Sequence, residues 1–164
     1  MAEGGGVPAS LKVLLFPASV VLIMLAWAGL DSVTGWRGVH APWIGWPLFT
    51  LGWALVGWCA WLFRRIGRGT PNPFTAKTRR MVTGGPYGVV RNPMMWGVGA
   101  VLTGLALILG SAGLWFGFAS FLGFVLWFVP RYEEPDMERR FGEEFRDYRR
   151  RVPRWWPRRA PPAG

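Results

Sequence analysis

The chain has 164 residues, of which 51% are apolar, including 12 tryptophans, and it carries a formal net charge of +10. With a mean hydropathy of +0.22, it has the length of one domain but is too apolar and too aromatic for an ordinary soluble one, so the composition selects a membrane protein. Its single cysteine, Cys59, excludes an intramolecular disulfide, and one histidine beside one cysteine indicates no metal site.

Four apolar runs without an acid follow one another: Leu11 to Leu30, Trp43 to Phe63, Met94 to Leu109 and Leu114 to Val129. The first two reach the length of about 20 residues that a helix needs to cross about 30 Å of hydrocarbon. The last two are about a turn shorter, and Gly110-Ser111-Ala112-Gly113 between them predicts a tight turn, hence a helical hairpin. The runs are continuous rather than alternating, which favours helices over a barrel, because in lipid every backbone polar group has to be satisfied internally. Ala26-Trp27-Ala28 has the small-x-small form of a signal-peptide cleavage site, but only Lys12 stands against Glu3 before it, and a retained first helix is expected.

Between the second and third runs lie Arg64, Arg65, Arg68, Lys77, Arg79, Arg80 and Arg91 with no acid, whereas the 31–42 loop holds only Arg37 among bases. The positive-inside rule makes the 64–93 loop cytosolic, and four crossings then put both termini on the same side. The sole histidine, His40, falls in the outer loop as a surface residue. Nucleic acid is not expected as a partner, since the basic excess lies where it orients the chain and meets anionic headgroups. In the tail, Phe141, Phe145, Tyr148 and Val152 recur at the spacing of one helical face among interleaved charges. The expected fold is an all-α membrane protein of four transmembrane helices, the last two a hairpin, followed by a cytosolic amphipathic helix. Residues 64–93 and 131–157 form its cytosolic region.

The segment GPYGVVRNPMMWG, Gly85 to Gly97, puts turn formers, an arginine and an amide at the start of the hairpin. Both ends of the hairpin return to one face, so Arg91-Asn92-Pro93 is expected to meet Tyr132-Glu133-Glu134-Pro135. An arginine, an amide and two carboxylates at a membrane surface suit a polar ligand delivered from water.

The ordered series Gly85-Pro86-Tyr87, Arg91-Asn92-Pro93-Met94, Gly97, Glu133-Glu134, Phe141-Gly142, Phe145, Tyr148 and Val152-Pro153-Arg154 resembles the isoprenylcysteine carboxyl methyltransferases and the related phospholipid N-methyltransferases, over about residues 40 to 157. The resemblance implies an integral membrane enzyme that takes S-adenosylmethionine from the cytosolic side and methylates a lipophilic, membrane-borne carboxylate, amine or thiol. The cofactor-binding residues it points to are Tyr87, Arg91, Asn92, Pro93, Trp96, Gly97, Gly99, Tyr132, Glu133 and Glu134. Arg91 suits the cofactor's carboxylate, Glu133 and Glu134 its ribose or amino group, Tyr87, Trp96 and Tyr132 its adenine or sulfonium methyl, and Gly97 and Gly99 a close backbone approach. Arg91, Asn92 and Glu138 are the catalytic candidates, Glu138 as the base for an amine or thiol acceptor. Asn92 stands where the prenylcysteine enzymes have histidine and Met95 where they have tyrosine, which counts against a prenylcysteine acceptor. Two other readings stay open: a nicotinamide-dependent membrane reductase, since sterol reductases resemble the C-terminal half, and a noncatalytic scaffold or transporter. A transporter is disfavoured because no ionisable residue lies deep in a predicted helix.

Overall fold

The structure is a computed structural model that describes residues 26–67 and 80–157, and among these every regular element is helical. Residues 26–34 are helical and are called α1; α2 (Pro42–Arg65), α3 (Pro93–Leu109), α4 (Ala112–Phe128), α5 (Glu134–Phe141) and α6 (Glu143–Arg151) follow. The apolar run expected at Leu11 to Leu30 lies outside the described residues as far as residue 25.

Pro42 opens α2 at its first turn, where a missing N–H costs nothing. The helix packs antiparallel against α3 through two glycine pairs. A Cβ on Gly52 would lie 2.8 Å from the carbonyl oxygen of Gly97, and one on Gly104 would lie 2.6 Å from the backbone nitrogen of Phe49 and 2.7 Å from the carbonyl oxygen of Gly45. Bare backbone on both helices allows that approach, the device that joins helices in lipid, where apolar side chains gain nothing by leaving the solvent. The opposite face of α2 is left uncovered by the described residues, with Trp43, Leu51, Trp53, Trp58 and Trp61 all at least half exposed. Such a face suits lipid and would be a liability in water.

The hairpin turns at Gly110, whose φ of 61° is open to glycine at little cost, and Ser111 caps α4 by accepting a hydrogen bond from the Leu114 N–H at 3.0 Å. Asp31 of α1 accepts from the Ser111 hydroxyl and from the Gly113 N–H, which ties α1 to this end of the bundle.

At its other end α4 does not stop. A wide π turn over Val129–Glu133, in which the Glu134 N–H reaches the Val129 carbonyl, carries the helix through Pro130 into α5. Among the described residues two helices are thus long and apolar enough to cross a membrane, Pro42–Arg65 and the continuous Ala112–Phe141; Pro93–Leu109 is shorter. The apolar part of the longer helix ends at Val129, and from Arg131 onward it is charged.

The tail departs from the single amphipathic helix expected of it. Glu133 and Glu134 lie inside the long helix rather than beginning a new one, and the chain breaks at Gly142, whose φ of 55° no ordinary helix accommodates. The apolar residues nevertheless pack together: Phe145, Tyr148 and Val152 are buried against Met81, with Met137 and Phe141 at the edge. After α6, residues 152–157 run back over the start of α3 as an irregular strap.

Candidate active site

Gly85–Gly88 form a single 3-10 turn, residues 89–92 are irregular, and α3 begins at Pro93; the side chains of this stretch border two separate spaces. Tyr87, Arg91, Asn92, Met94 and Met95 line a polar cavity of about 50 Å³, closed by Phe63 and Glu133. Gly85, Pro86, Val89, Val90, Pro93 and Trp96 line an apolar cleft of about 620 Å³, closed by Leu55 and Trp58 of α2 and by Trp155, Trp156 and Pro157 of the strap. One short segment is therefore the partition between the two spaces.

Three charged side chains meet beside the cavity. Arg91 Nη1 pairs with Glu134 Oε1 at 3.1 Å, and Arg154 donates to the same carboxylate from Nε at 2.7 Å and from Nη2 at 2.6 Å. The fork of Arg154 satisfies Glu134 on both oxygens, the geometry in which guanidinium and carboxylate bind most strongly. Arg91 is left short: its side chain is 10% exposed, and its buried Nε has no acceptor. Burial holds the Arg91 guanidinium below its ordinary range, partly offset by the Glu134 charge, while the hydrogen bonds to Glu134 raise Arg154.

Glu133 points the other way round the π turn and borders the cavity. Burial, and then the neighbouring Glu134 charge, push its carboxyl up to about 7. Tyr87 is buried against Cys59, Leu62 and Val82, with Phe63 edge-on at 5.4 Å, and its carbonyl accepts from the Tyr148 hydroxyl at 2.7 Å. Burial raises both phenols above their usual range. The strap is pinned residue by residue: the carbonyls of Pro153, Arg154 and Trp155 accept from the Arg91 N–H (2.9 Å), Asn92 Nδ2 (3.4 Å) and Trp96 Nε1 (3.0 Å).

The expected site residues divide accordingly. Tyr87, Arg91, Asn92 and Glu133 share the polar cavity, and Pro93 and Trp96 face the apolar cleft instead. Glu134 is occupied by two arginines and borders neither space. Gly97 and Gly99 border neither as well. The bareness of Gly97 serves packing, since a Cβ there would meet Val56 at 2.8 Å, and Gly99 looks toward Phe118 of α4, not toward a ligand. Tyr132 lies half exposed on the outside, stacked on Phe128 at 5.5 Å and beside Trp127. Glu138 is away from the cavity and paired with Arg146 at 3.5 Å and Arg149 at 3.4 Å, so its assignment as base has no geometric support. Arg154 had no role assigned from the sequence, although it closes the Val152-Pro153-Arg154 motif; its place at the end of an amphipathic stretch was the available signal. His40 is exposed at the far end of the bundle. Among the described residues, no group of three or more His, Cys, Asp or Glu side chains is placed to hold a metal ion.

The described residues are thus helical, with two helices of membrane length and a buried arginine, amide and carboxylate at one end. The model of the phospholipid methyltransferase family matches residues 41–144, well over half of the chain, and the protein belongs to that family. It is thereby a membrane methyltransferase. No curated protein and no solved structure matches it. The family match ends within α6, so the strap lies beyond it.

Proposed function

We propose that the protein transfers the methyl group of S-adenosylmethionine to a lipophilic acceptor held in the membrane. The observation that carries this reading is Arg91, a buried guanidinium whose Nε has no acceptor and which borders a cavity shared with Asn92 and Glu133. A buried donor left unsatisfied costs about 1–3 kcal/mol, more when charged, and a ligand carboxylate at Nε offsets that cost. The three residues suit the amino-acid end of the cofactor: Arg91 for its carboxylate, Glu133 for its ammonium, Asn92 for either. A volume of about 50 Å³ takes that end and leaves the adenosine outside.

The cofactor, when bound, supplies an electrophilic methyl: its bond to the sulfonium sulfur breaks with the electron pair going to sulfur while the bond to the acceptor atom forms in line. The chain contributes position, and well-oriented reactants reach effective molarities of about 10⁵ to 10⁸ M. A carboxylate acceptor needs no base.

Four membrane crossings, with Arg64, Arg65, Arg131 and the site at the cytosolic face, complete the reading and give the cofactor access from water. The test is calorimetric titration of the detergent-purified protein with S-adenosylmethionine, with a nicotinamide nucleotide as control. Saturable binding, weakened about tenfold or more in Arg91→Lys because the planar fork is lost, supports the proposal. A folded sample that binds no S-adenosylmethionine overturns it.

A further inference from the structure

The apolar cleft has no task in holding a charged cofactor end, yet it has more than ten times the volume of the polar cavity. At about 620 Å³ it falls in the range of about 300–1,000 Å³ in which proteins bury one small ligand. Among the described residues no charged side chain borders it, and none of these gives a charged headgroup inside a partner for the water it would lose. Leu55 and Trp58 bring it out to the uncovered face of α2, where Trp58 is half exposed in line with Trp53 and Trp61. The cleft is therefore open toward the same surroundings as that face, and its occupant comes from lipid.

Its far wall is not part of the bundle. Trp155 and Trp156 reach it on the strap, with the Trp156 ring edge-on to Trp96 at 4.9 Å. Three consecutive strap carbonyls are held by the partition, and Arg154 is clamped on Glu134, so the setting of both tryptophans follows from that clamp.

We propose that the cleft takes a single hydrocarbon chain of the methyl acceptor, that the Trp155–Trp156 wall determines which acceptors fit, and that Arg154 is the residue that positions this wall. The inference rests on the methyltransferase reading above and names the shape of its acceptor. The chain lies among the tryptophans, and the reacting group meets the partition, whose residues from Pro86 to Trp96 are shared out between the linings of cleft and cavity. There it comes within the separation of about 3–3.5 Å that transfer requires. A two-chain body stays in the bilayer, with at most one chain inserted.

The experiment uses the full chain in bilayers containing a single-chain lipid with a diazirine near the end of its alkyl chain. After photolysis, mass spectrometry locates the adducts, and S-adenosylmethionine binding is titrated on the same samples. Adducts concentrated on Val89–Val90 and Trp155–Trp156, and lowered several-fold at the strap by Arg154→Gln, are expected. Because Arg154→Gln also disturbs Glu134, Trp156→Ala at an exposed position serves as the second variant. It should raise the KM for a long-chain acceptor about 5- to 30-fold, the effect of losing one or two kcal/mol of contact, with kcat and cofactor affinity changed less than about twofold. Adducts spread evenly over the lipid-facing side of α2, or Trp156→Ala lowering kcat alone, would overturn the inference whether or not the cofactor binds. Strap adducts in a folded protein that binds no S-adenosylmethionine would leave the cleft assignment standing and remove the methyltransferase reading.

Discussion

Arg91 and Glu134 reach each other from opposite ends of the α3–α4 hairpin, at 3.1 Å and with each side chain 10% exposed. The same carboxylate also holds Arg154. Glu134 is therefore the joint between hairpin and strap, and Glu134→Gln leaves two guanidiniums facing one neutral amide. Breaking a buried pair by removing one partner costs about 3 kcal/mol or more. A lowered unfolding temperature, together with faster proteolysis within residues 152–157, is the expected outcome. An unchanged unfolding temperature would mean that the pair contributes nothing to the fold.

The glycines that join α2 to α3 predict a contrast within one element pair. Gly104→Ala places a methyl 2.6 Å from the Phe49 backbone nitrogen, where no flexible side chain can yield, and the helices have to part. A loss of about 1–3 kcal/mol is expected, as for other overpacked positions. Gly57→Ala, with nothing within 4 Å of its Cβ, should be neutral or gain about 0.5–1 kcal/mol from the stiffer helix. Equal effects at the two positions, measured by denaturant titration in mixed micelles, would dismiss the pairing as the reason for these glycines.

At the far end of the bundle, Ser111 caps α4 and shares its hydroxyl with Asp31. Ser111→Ala should cost about 1 kcal/mol, the usual loss for an N-cap. The cavity lies at the other end of α3, so cofactor affinity should not move. A change in affinity would reveal coupling along the hairpin.

Much of this arrangement was legible in the residues, and what was not has a common cause. Apolar length marks where helices begin and end: the runs at 43–63, 94–109 and 114–129 correspond to helices at Pro42–Arg65, Pro93–Leu109 and Ala112–Phe128. A hairpin returns both its ends to one level, which was enough to bring Arg91 near Glu134. Side-chain direction was not accessible in the same way. Neighbours on a helix point about 100° apart, and of the two adjacent glutamates at the π turn one borders the cavity and the other faces the arginines. The break at Gly142 redirects the tail, which leaves Glu138 among surface arginines and brings Arg154 to the site from a stretch without secondary structure. Gly97 has the same sequence appearance whether it admits a ligand or a neighbouring helix, and only the packing partner, Val56, separates the two.

Glu133 gives the proposed site a pH signature with two opposite signs. Its carboxyl is raised from 4.5 to about 7 by burial, with the charge of Glu134 adding to it, so between those values the folded protein holds a proton that the unfolded chain has released. Stability is then greatest below about pH 4.5 as far as this group is concerned, and its contribution is lost as the pH rises through about 7. Ligand binding runs the other way if Glu133 meets the ammonium of S-adenosylmethionine, because only the carboxylate attracts it: affinity should climb from pH 6 to 8. Glu133→Gln should flatten both profiles, weakening cofactor binding at pH 8 while removing the alkaline loss of stability. Thermal unfolding and calorimetry at pH 6, 7 and 8 on the two proteins separate the effects. A cofactor affinity that is flat with pH in the unsubstituted protein would remove Glu133 from the binding site, even if its stability profile bends as expected.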